Sequence, residues 1–142
     1  MKINLECLPE NYSQSFYLEL YYRFPKTFIV ATISNRVVGY IMCRVELGFS
    51  EIHRFNIIRK GHVVSIAILP EYRRKNIGKA LVTDALNGMK EYNLKEGYLE
   101  VRTSNEPAIF LYKKLEFRIV RKLDNYYKDG EDAYVMVQEV KY

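Results

Sequence analysis

The segment from Val63 to Ala80 constrains the fold of this chain more than any other. Its first residues, up to Leu69, are apolar almost throughout, which favours a central strand that is covered on both faces. A basic turn over 73–75 follows, and then the small residue Gly78 in what reads as the first turn of a helix. The first N–H groups of a helix have no partner within the helix, and the helix dipole is positive there. The segment therefore predicts a site for a phosphate or pyrophosphate.

The residue pattern around this segment predicts an α/β fold in one domain, residues 1–142. Helical spacing and capping residues predict helices over 13–22, 77–92 and 105–115. Apolar and β-branched runs predict strands over 27–33, 37–45, 62–69, 98–102, 117–122 and 133–140. After the first helix the order is two strands, a long loop, then strand, helix, strand, helix and two strands. This order predicts a mixed central sheet with helices on both faces.

Composition excludes several classes of protein. The chain has 142 residues, 49% of them hydrophobic, which is typical of a globular domain rather than a disordered one. No apolar run approaches the roughly 20 residues of a membrane span, and the first residues lack the apolar core of a signal peptide. The net charge of +5 suits an anionic cofactor or an acidic partner such as the ribosome surface, without a basic platform for nucleic acid. The two cysteines, Cys7 and Cys43, form no spacing motif, so we expect reduced thiols in a cytoplasmic protein.

The basic turn has two interpretations. A solvated cluster of charges before a helix is one, and a phosphate site is the other. The surrounding residues favour the phosphate site, because Asn76 tolerates a left-handed turn conformation and Gly78 has no Cβ to keep a ligand from the backbone.

These residues resemble motif A of the GNAT acetyltransferases, whose pattern is Arg/Gln-x-x-Gly-x-Gly/Ala. Here it is Arg73-x-x-Asn76-x-Gly78, with Asn76 where the family usually has glycine. Further segments are similar to the catalytic subunit of amino-terminal acetyltransferase A and its archaeal relatives. They are Leu8-Pro9-Glu10-Asn11-Tyr12, Gly61-His62-Val63-Val64-Ser65, Leu99-Glu100-Val101-Arg102 with Ser104-Asn105, and Tyr126 to Tyr134. Members usually carry a strand and most of a helix before the first of these segments. Either the start of the sequence as given is too late, or the chain lacks the usual first strand and is expected to expose a sheet edge.

The resemblance implies a GNAT fold with acetyl-CoA held in a splay between two central parallel strands, here 62–69 and 97–103. It implies backbone contacts near the thioester from Ile66, Ala67 and Ile68. It implies a phosphate turn made of Arg73, Arg74, Lys75, Asn76, Ile77, Gly78 and Lys79. On the other side of the cofactor it implies Asn105, Tyr112, Lys113 and Lys114.

Acetyl transfer to an amine needs a neutral nitrogen, and an α-amino group with a pKa of roughly 7.7–8.0 loses its proton readily. A general base acting through water is sufficient. The candidates are His62, Glu100 and Glu10. A histidine at a strand start is often structural, but a glutamate on a two-sided strand needs a polar partner. We therefore expect His62 and Glu100 to face each other and to take the amine proton through a water, with Glu10 binding or orienting the amino terminus. Two such ligands do not make a metal site, and none is predicted.

Tyrosines supply the remaining candidates. Tyr112 is either a hydrogen-bond donor to the leaving thiolate, as the resemblance suggests, or a core residue on the same helical face as Ile109 and Leu115. Tyr126 and Tyr127 are either β-forming aromatic residues or, as the resemblance implies, peptide binders that face Tyr12 and Pro9. Such a slot is expected to admit a chain end and to exclude an internal lysine.

The sequence thus predicts an enzyme that acetylates the α-amino group of protein N-termini, including nascent chains at the ribosome. We expect direct attack in a ternary complex, because neither cysteine lies in the motif. One alternative is an acetyltransferase dedicated to a ribosomal protein or an internal lysine. Another is a non-catalytic module that binds acetyl-CoA.

Overall fold

The computed structural model describes residues 1–142 as one six-stranded sheet with helices on both faces. The helices are α1 (Lys2–Cys7), α2 (Gln14–Arg23), α3 (Ile77–Glu91) and α4 (Glu106–Lys114). The strands are β1 (Phe28–Ile33), β2 (Arg36–Phe49), β3 (Ile57–Ile68), β4 (Glu96–Arg102), β5 (Arg118–Leu123) and β6 (Ala133–Glu139). Across the sheet the order is β1-β2-β3-β4-β6-β5, and only the central β3-β4 pair is parallel.

The two parallel strands separate soon after they meet. They pair only over Lys60–His62 of β3 and Glu96–Tyr98 of β4, although β3 continues to Ile68 and β4 to Arg102. Beyond His62 the backbones that face each other are therefore not hydrogen-bonded across the gap. This confirms the splay expected between the central strands.

A bulge in β3 decides which side chains face which helices. Ser65 pairs with Met42 and Val63 pairs with Cys43, so Val64 is an extra residue in the register. As a result Val63 packs in the core beneath α3, while Ser65 bonds the Tyr40 hydroxyl in the core beneath α2. The bulge turns the middle of β3 at the point where the sheet opens.

Two apolar cores confirm helices on both faces. The larger one packs Leu81, Ala85 and Met89 of α3 against one face of the sheet, and their helical spacing is the one that predicted this helix. The smaller one packs Tyr17 and Leu20 of α2 against the other face. The predicted caps are also present: Ser13 accepts a hydrogen bond from the Phe16 amide at 3.3 Å, and Asn105 accepts one from the Ala108 amide at 3.3 Å.

The predicted long loop between 45 and 62 is wrong. β2 runs to Phe49 and β3 begins at Ile57, so only 50–56 connects them. Polar residues of this segment are accommodated within the hairpin. Lys60, for example, is buried and donates to the Phe49 carbonyl at 2.7 Å and to Glu51 at 3.2 Å. Helix α1 was not predicted either.

No helix in the fold combines the length and the apolar character needed to cross a membrane.

Replacing Gly88 in α3 with alanine is expected to destabilise the fold, although alanine is the better helix former. A Cβ at Gly88 would lie 2.1 Å from the Lys26 carbonyl oxygen, so the backbone before β1 would have to move. We expect Gly88→Ala to lower the free energy of unfolding by about 1–3 kcal/mol in denaturant titrations. Gly48→Ala is the control, because its Cβ would meet only the flexible Lys60 side chain, with Cε at 3.5 Å and Nζ at 3.9 Å. Equal stability of the two variants would contradict this packing.

Candidate active site

The splay between β3 and β4 opens into a cavity of about 460 Å³. Its walls are formed by the splayed parts of both strands, by helix α4, by the segment that follows α1 and by the β5–β6 loop. The residues that line it are Cys7, Leu8, Pro9, Glu10, Tyr12, Val63, Val64, Ser65, Ile66, Leu99, Glu100, Val101, Arg102, Asn105, Ala108, Tyr112, Tyr126, Tyr127 and Lys128. Thus Pro9, Glu10, Tyr12, Tyr126 and Tyr127, predicted to bind peptide, lie around one cavity with Glu100 and Tyr112.

His62 lies between two carboxylates at the closed end of the splay. Its Nε2 is 2.7 Å from Glu100 Oε1, which is the contact expected from the sequence, and its Nδ1 is 3.0 Å from Glu46 Oε2. A neutral imidazole donates from only one nitrogen, whereas a protonated one donates from both. Burial alone would lower the pKa of His62, but the hydrogen bonds to Glu100 and Glu46 raise it to about 9. His62 is therefore an imidazolium at neutral pH.

Glu46 is the anion that completes this arrangement. Burial alone would raise the pKa of its carboxyl, but hydrogen bonds from His62 and Tyr98 and the nearby His62 charge lower it to about 2. The Tyr98 hydroxyl donates to Glu46 Oε1, and Arg44 Nε donates to Oε2 at 2.9 Å. The Glu46 carboxyl is therefore ionised in the folded protein at neutral pH.

Glu100 lines the cavity, whereas His62 does not. Glu100 Oε1 accepts from His62 Nε2 and from the Tyr126 hydroxyl at 3.2 Å, and its Oε2 has no hydrogen-bond partner. An unpartnered carboxylate oxygen beside a cavity is an acceptor for a proton. The geometry thus separates the two residues that the sequence grouped as one base.

Arg102 joins the two loops at the mouth of the cavity. Its Nη1 lies 2.8 Å from Asp129 and 2.9 Å from Glu131 of the β5–β6 loop, and its Nη2 lies 3.4 Å from Glu10 after α1. The Tyr127 ring lies over its guanidinium at 4.1 Å. Glu10 is therefore fixed at the mouth by Arg102.

The tyrosines that were predicted to bind peptide line the same mouth. Tyr126 and Tyr127 are stacked at 5.0 Å between ring centroids, and the Tyr12 hydroxyl donates to the Val64 carbonyl at 3.4 Å. Burial raises the pKa of Tyr126 to about 12, so its hydroxyl stays a donor. Rigid rings with one hydroxyl each suit the edges of an extended peptide.

The turn before α3 has the backbone shape of an anion site. Arg74 and Asn76 both have positive φ, of 61° and 64°, as expected for Asn76. No side chain caps the helix that follows, so its first N–H groups are free. Alternating left-handed residues that lead into a free helix start form a concave row of N–H donors, which fits a diphosphate.

Gly78 also has a packing role that was not predicted. A Cβ there would lie 3.2 Å from Ile68 Cδ1 and 3.2 Å from Leu111 Cδ2, so its small size allows α3 to pack against the core. Arg73 also behaves differently from a free cation, because its Nε donates to the Ile68 carbonyl at 2.9 Å. The side chains of Arg74, Lys75 and Lys79 are exposed, and Ile77 packs against the larger core.

The other predicted cofactor contacts divide into two groups. Ile66, Asn105 and Tyr112 line the cavity. Ala67 packs in the smaller core, the Ile68 carbonyl already accepts from Arg73, and Lys113 and Lys114 are exposed on α4 outside the cavity lining.

Sequence reasoning missed Glu46, Tyr98, Arg102 and Cys7. The alternation of side chains along a strand could have revealed Glu46 and Tyr98. Arg44-Val45-Glu46-Leu47 continues the pattern of the predicted strand that ends at 45. Tyr98 lies two residues before Glu100 and therefore on the same face of its strand. Cys7 was expected away from the site, but it lines the cavity. Cys43 is buried in the larger core, and burial raises the pKa of its thiol.

Comparison with known proteins shows the family. The model of the acetyltransferase (GNAT) family matches residues 1–117. The chain belongs to this family. It is 53% identical over 140 residues to an N-alpha-acetyltransferase of Saccharolobus solfataricus, covering 97% of this chain and 84% of the relative. It is 37% identical to the N-terminal acetyltransferase A complex catalytic subunit of Arabidopsis thaliana, covering 97% of this chain and 70% of that subunit.

The fold agrees with solved structures of this family. Naa50 of Arabidopsis thaliana, solved in complex with the bisubstrate analogue CoA-Ac-MVNAL, superposes with a TM-score of 0.81 at 28% identity, covering 96% of this chain and 87% of that one. The GNAT fold and the resemblance to amino-terminal acetyltransferases are thus confirmed. The roles of individual residues remain predictions.

Proposed function

We propose that this GNAT protein transfers the acetyl group of acetyl-CoA to the α-amino group of protein N-termini. The observation that carries the proposal is the position of Glu100, whose carboxylate lines the cavity in the splay between β3 and β4. The phosphate-type turn before α3 and the tyrosine-lined mouth flank this cavity. The names of the relatives support the same activity.

The residues fit direct attack in a ternary complex. Acetyl-CoA supplies an acetyl thioester, and the free amides around Asn76 would hold its diphosphate. The unpaired backbone beside Ile66 would hold the arm that leads to the thioester. On the other side, Glu10, Tyr12, Tyr126 and Tyr127 would bind the peptide end. Cys7 lines the cavity, and its Sγ lies 3.6 Å from the Ile68 carbonyl oxygen.

Glu100 would accept the amine proton, directly or through one water. Positive charge builds on the nitrogen as it attacks, and a nearby carboxylate stabilises that charge before it takes the proton. His62, already protonated, would donate to Glu100 Oε1 and hold the carboxylate in place. In this proposal the two residues that the sequence predicted to act together have different roles: Glu100 is the base, and His62 orients it.

Tyr112 would donate a hydrogen bond to the leaving thiolate. Burial raises the pKa of this tyrosine to about 12, so the hydroxyl keeps its proton at neutral pH. We expect Tyr112→Phe to lower kcat about tenfold, the loss of about 1.4 kcal/mol of transition-state stabilisation. Thermal unfolding of the variant checks the fold, because the ring packs against Phe117 and phenylalanine retains that contact. An unchanged kcat would assign Tyr112 to packing alone.

Residues 1–142 would act as one acetyltransferase domain in the cytoplasm, on protein N-termini that include nascent chains. The mouth bounded by Arg102, Glu10 and the two stacked tyrosines favours a chain end over an internal lysine, because both loops that form it are held together by the Arg102 ion pairs.

Release of the CoA thiol in the presence of acetyl-CoA tests the proposal. A panel of peptides that differ in their first two residues supplies the acceptors. Peptide-dependent release across several N-termini supports a general N-terminal acetyltransferase. Release with one ribosomal-protein N-terminus alone would indicate a dedicated enzyme, and binding of acetyl-CoA without release would indicate a non-catalytic module.

A further inference from the structure

Glu46 and Tyr98 lie behind the proposed base, and neither of them lines the cavity. Both carboxylate oxygens of Glu46 make a hydrogen-bond contact. Its Oε2 is 3.0 Å from His62 Nδ1, and its Oε1 accepts a hydrogen bond from the Tyr98 hydroxyl. Glu46, His62 and Tyr98 come from the adjacent strands β2, β3 and β4, respectively. They form a closed set of contacts on the side of His62 that faces away from Glu100.

Tyr98 also fixes the plane of the His62 ring. The two rings are stacked at 4.5 Å with an angle of 4° between their planes. Lys60 Nζ lies 4.6 Å from the Tyr98 ring centroid, and Tyr98 is 9% exposed. A ring held by a stack and by two hydrogen bonds on opposite nitrogens has no freedom to rotate away from Glu100.

We propose that Glu46 and Tyr98 are positioning residues that keep His62 protonated and in one plane, so that its Nε2–H orients the Glu100 carboxylate toward the cavity. This inference rests on the proposed function. Its physical basis is that both ring nitrogens face carboxylates, an arrangement that only the doubly protonated ring satisfies. Without the Glu46 charge the ring loses a proton at lower pH, and a neutral ring whose remaining proton is on Nδ1 can no longer donate to Glu100.

The charged groups around His62 are consistent with this role. Glu46 and Arg44 face it from β2, and Arg44 Nη2 lies 3.4 Å from Nδ1. Glu100 and Tyr98 face it from β4, and Lys60 lies beyond the Tyr98 ring on β3 itself. Tyr126 of the β5–β6 loop reaches the site through Glu100. Burial opposes a proton on His62, and the hydrogen bonds and charges of the two carboxylates outweigh it.

The test follows His62 directly by NMR. The chain has only two histidines, so the variant His53→Gln assigns the imidazole nitrogen signals of His62. In the wild-type protein we expect His62 to lose its proton near pH 9. In Glu46→Gln we expect its midpoint to fall by about one to three pH units, the size of effect that a neighbouring charge has. The control Glu116→Gln removes an exposed carboxylate that pairs with Lys141, and it should leave the His62 midpoint unchanged.

Kinetics give the second readout, with a saturating peptide substrate and acetyl-CoA varied. We expect Glu46→Gln to lower kcat about tenfold at pH 8 while the KM for acetyl-CoA stays within about twofold. The wild-type kcat should fall as pH rises through the pKa of His62, because the required proton is lost. In Glu46→Gln this falling limb should move to lower pH by the same amount as the NMR midpoint. Tyr98→Phe, which retains the stack and loses the hydroxyl, should lower kcat with no change in the KM for acetyl-CoA.

The outcomes separate this inference from the proposed function. An unchanged His62 midpoint in Glu46→Gln overturns the inference whether or not the enzyme is active. A midpoint that moves without a matching shift in the pH limb of an active enzyme also overturns it. A wild-type protein that acetylates no peptide, yet shows the NMR shift, overturns the proposed function and leaves the positioning of His62 supported.

Discussion

Glu100→Gln is expected to lower kcat about 100-fold to 10,000-fold, the range that a positioned general base contributes. Glutamine keeps the size of the side chain and can still accept from His62 and Tyr126 through its carbonyl oxygen. It cannot take a proton from the attacking amine. Since Glu100 Oε2 has no partner in the protein, the substitution breaks no hydrogen bond on that side.

Steady-state kinetics with an α-amino peptide measure this effect, and the KM for acetyl-CoA should change little. Glu116→Gln is the matched control, because it makes the same chemical change in an exposed ion pair, which is worth little to stability. His62→Ala should act in the same direction as Glu100→Gln, and the double variant should be no worse than Glu100→Gln alone, since both belong to one unit. If Glu100→Gln retained wild-type kcat, the assignment of the base would be wrong.

Asn76→Pro is expected to weaken acetyl-CoA binding by about 100-fold to 10,000-fold. Proline fixes φ near −65° and has no N–H, whereas Asn76 has a φ of 64°. The turn would have to rebuild, and about two charge-assisted hydrogen bonds to the diphosphate would be lost, at about 1.5–3 kcal/mol each. Calorimetric titration with acetyl-CoA measures the dissociation constant.

Asn76→Gly provides the matched comparison for this turn. Glycine adopts positive φ freely and keeps its N–H, so we expect its affinity to equal or exceed that of the wild-type protein. Circular dichroism of both variants shows whether α3 has formed. Equal affinity of the proline and glycine variants, with α3 intact in both, would remove the phosphate site from this turn.

The sequence predicted the parts of the fold that local chemistry determines. The β3–α3 unit follows from an apolar run, a basic turn and helical spacing, and the left-handed conformation of Asn76 follows from its residue type. The contact between His62 and Glu100 was predicted because a glutamate on a two-sided strand needs a polar partner, and the structure has it at 2.7 Å.

The parts that were missed depend on partners distant in the chain. The strand pairing of 46–49 with 57–60 was not predicted, and the buried Lys60 there is stabilised by Phe49 and Glu51 across the hairpin. With that strand missing, Glu46 had no predicted place beside His62. The charge on His62 depends on Glu46, and it could therefore not be inferred from His62 and Glu100 alone.

The packing role of Gly78 was missed for a related reason. A small residue at a helix start suits a ligand, a packing contact or both, and only the positions of Ile68 and Leu111 show the packing contact. Neither residue is a neighbour of Gly78 in the sequence.

The most direct measurement uses one peptide that carries both a free α-amino group and an internal lysine. After incubation with the protein and acetyl-CoA, fragmentation mass spectrometry locates the acetyl group. We predict a single acetyl group on the α-nitrogen, formed only when acetyl-CoA is present and greatly slowed in Glu100→Gln. Acetylation of the lysine at a comparable rate, or no transfer to either amine, would contradict the proposed N-terminal acetyltransferase.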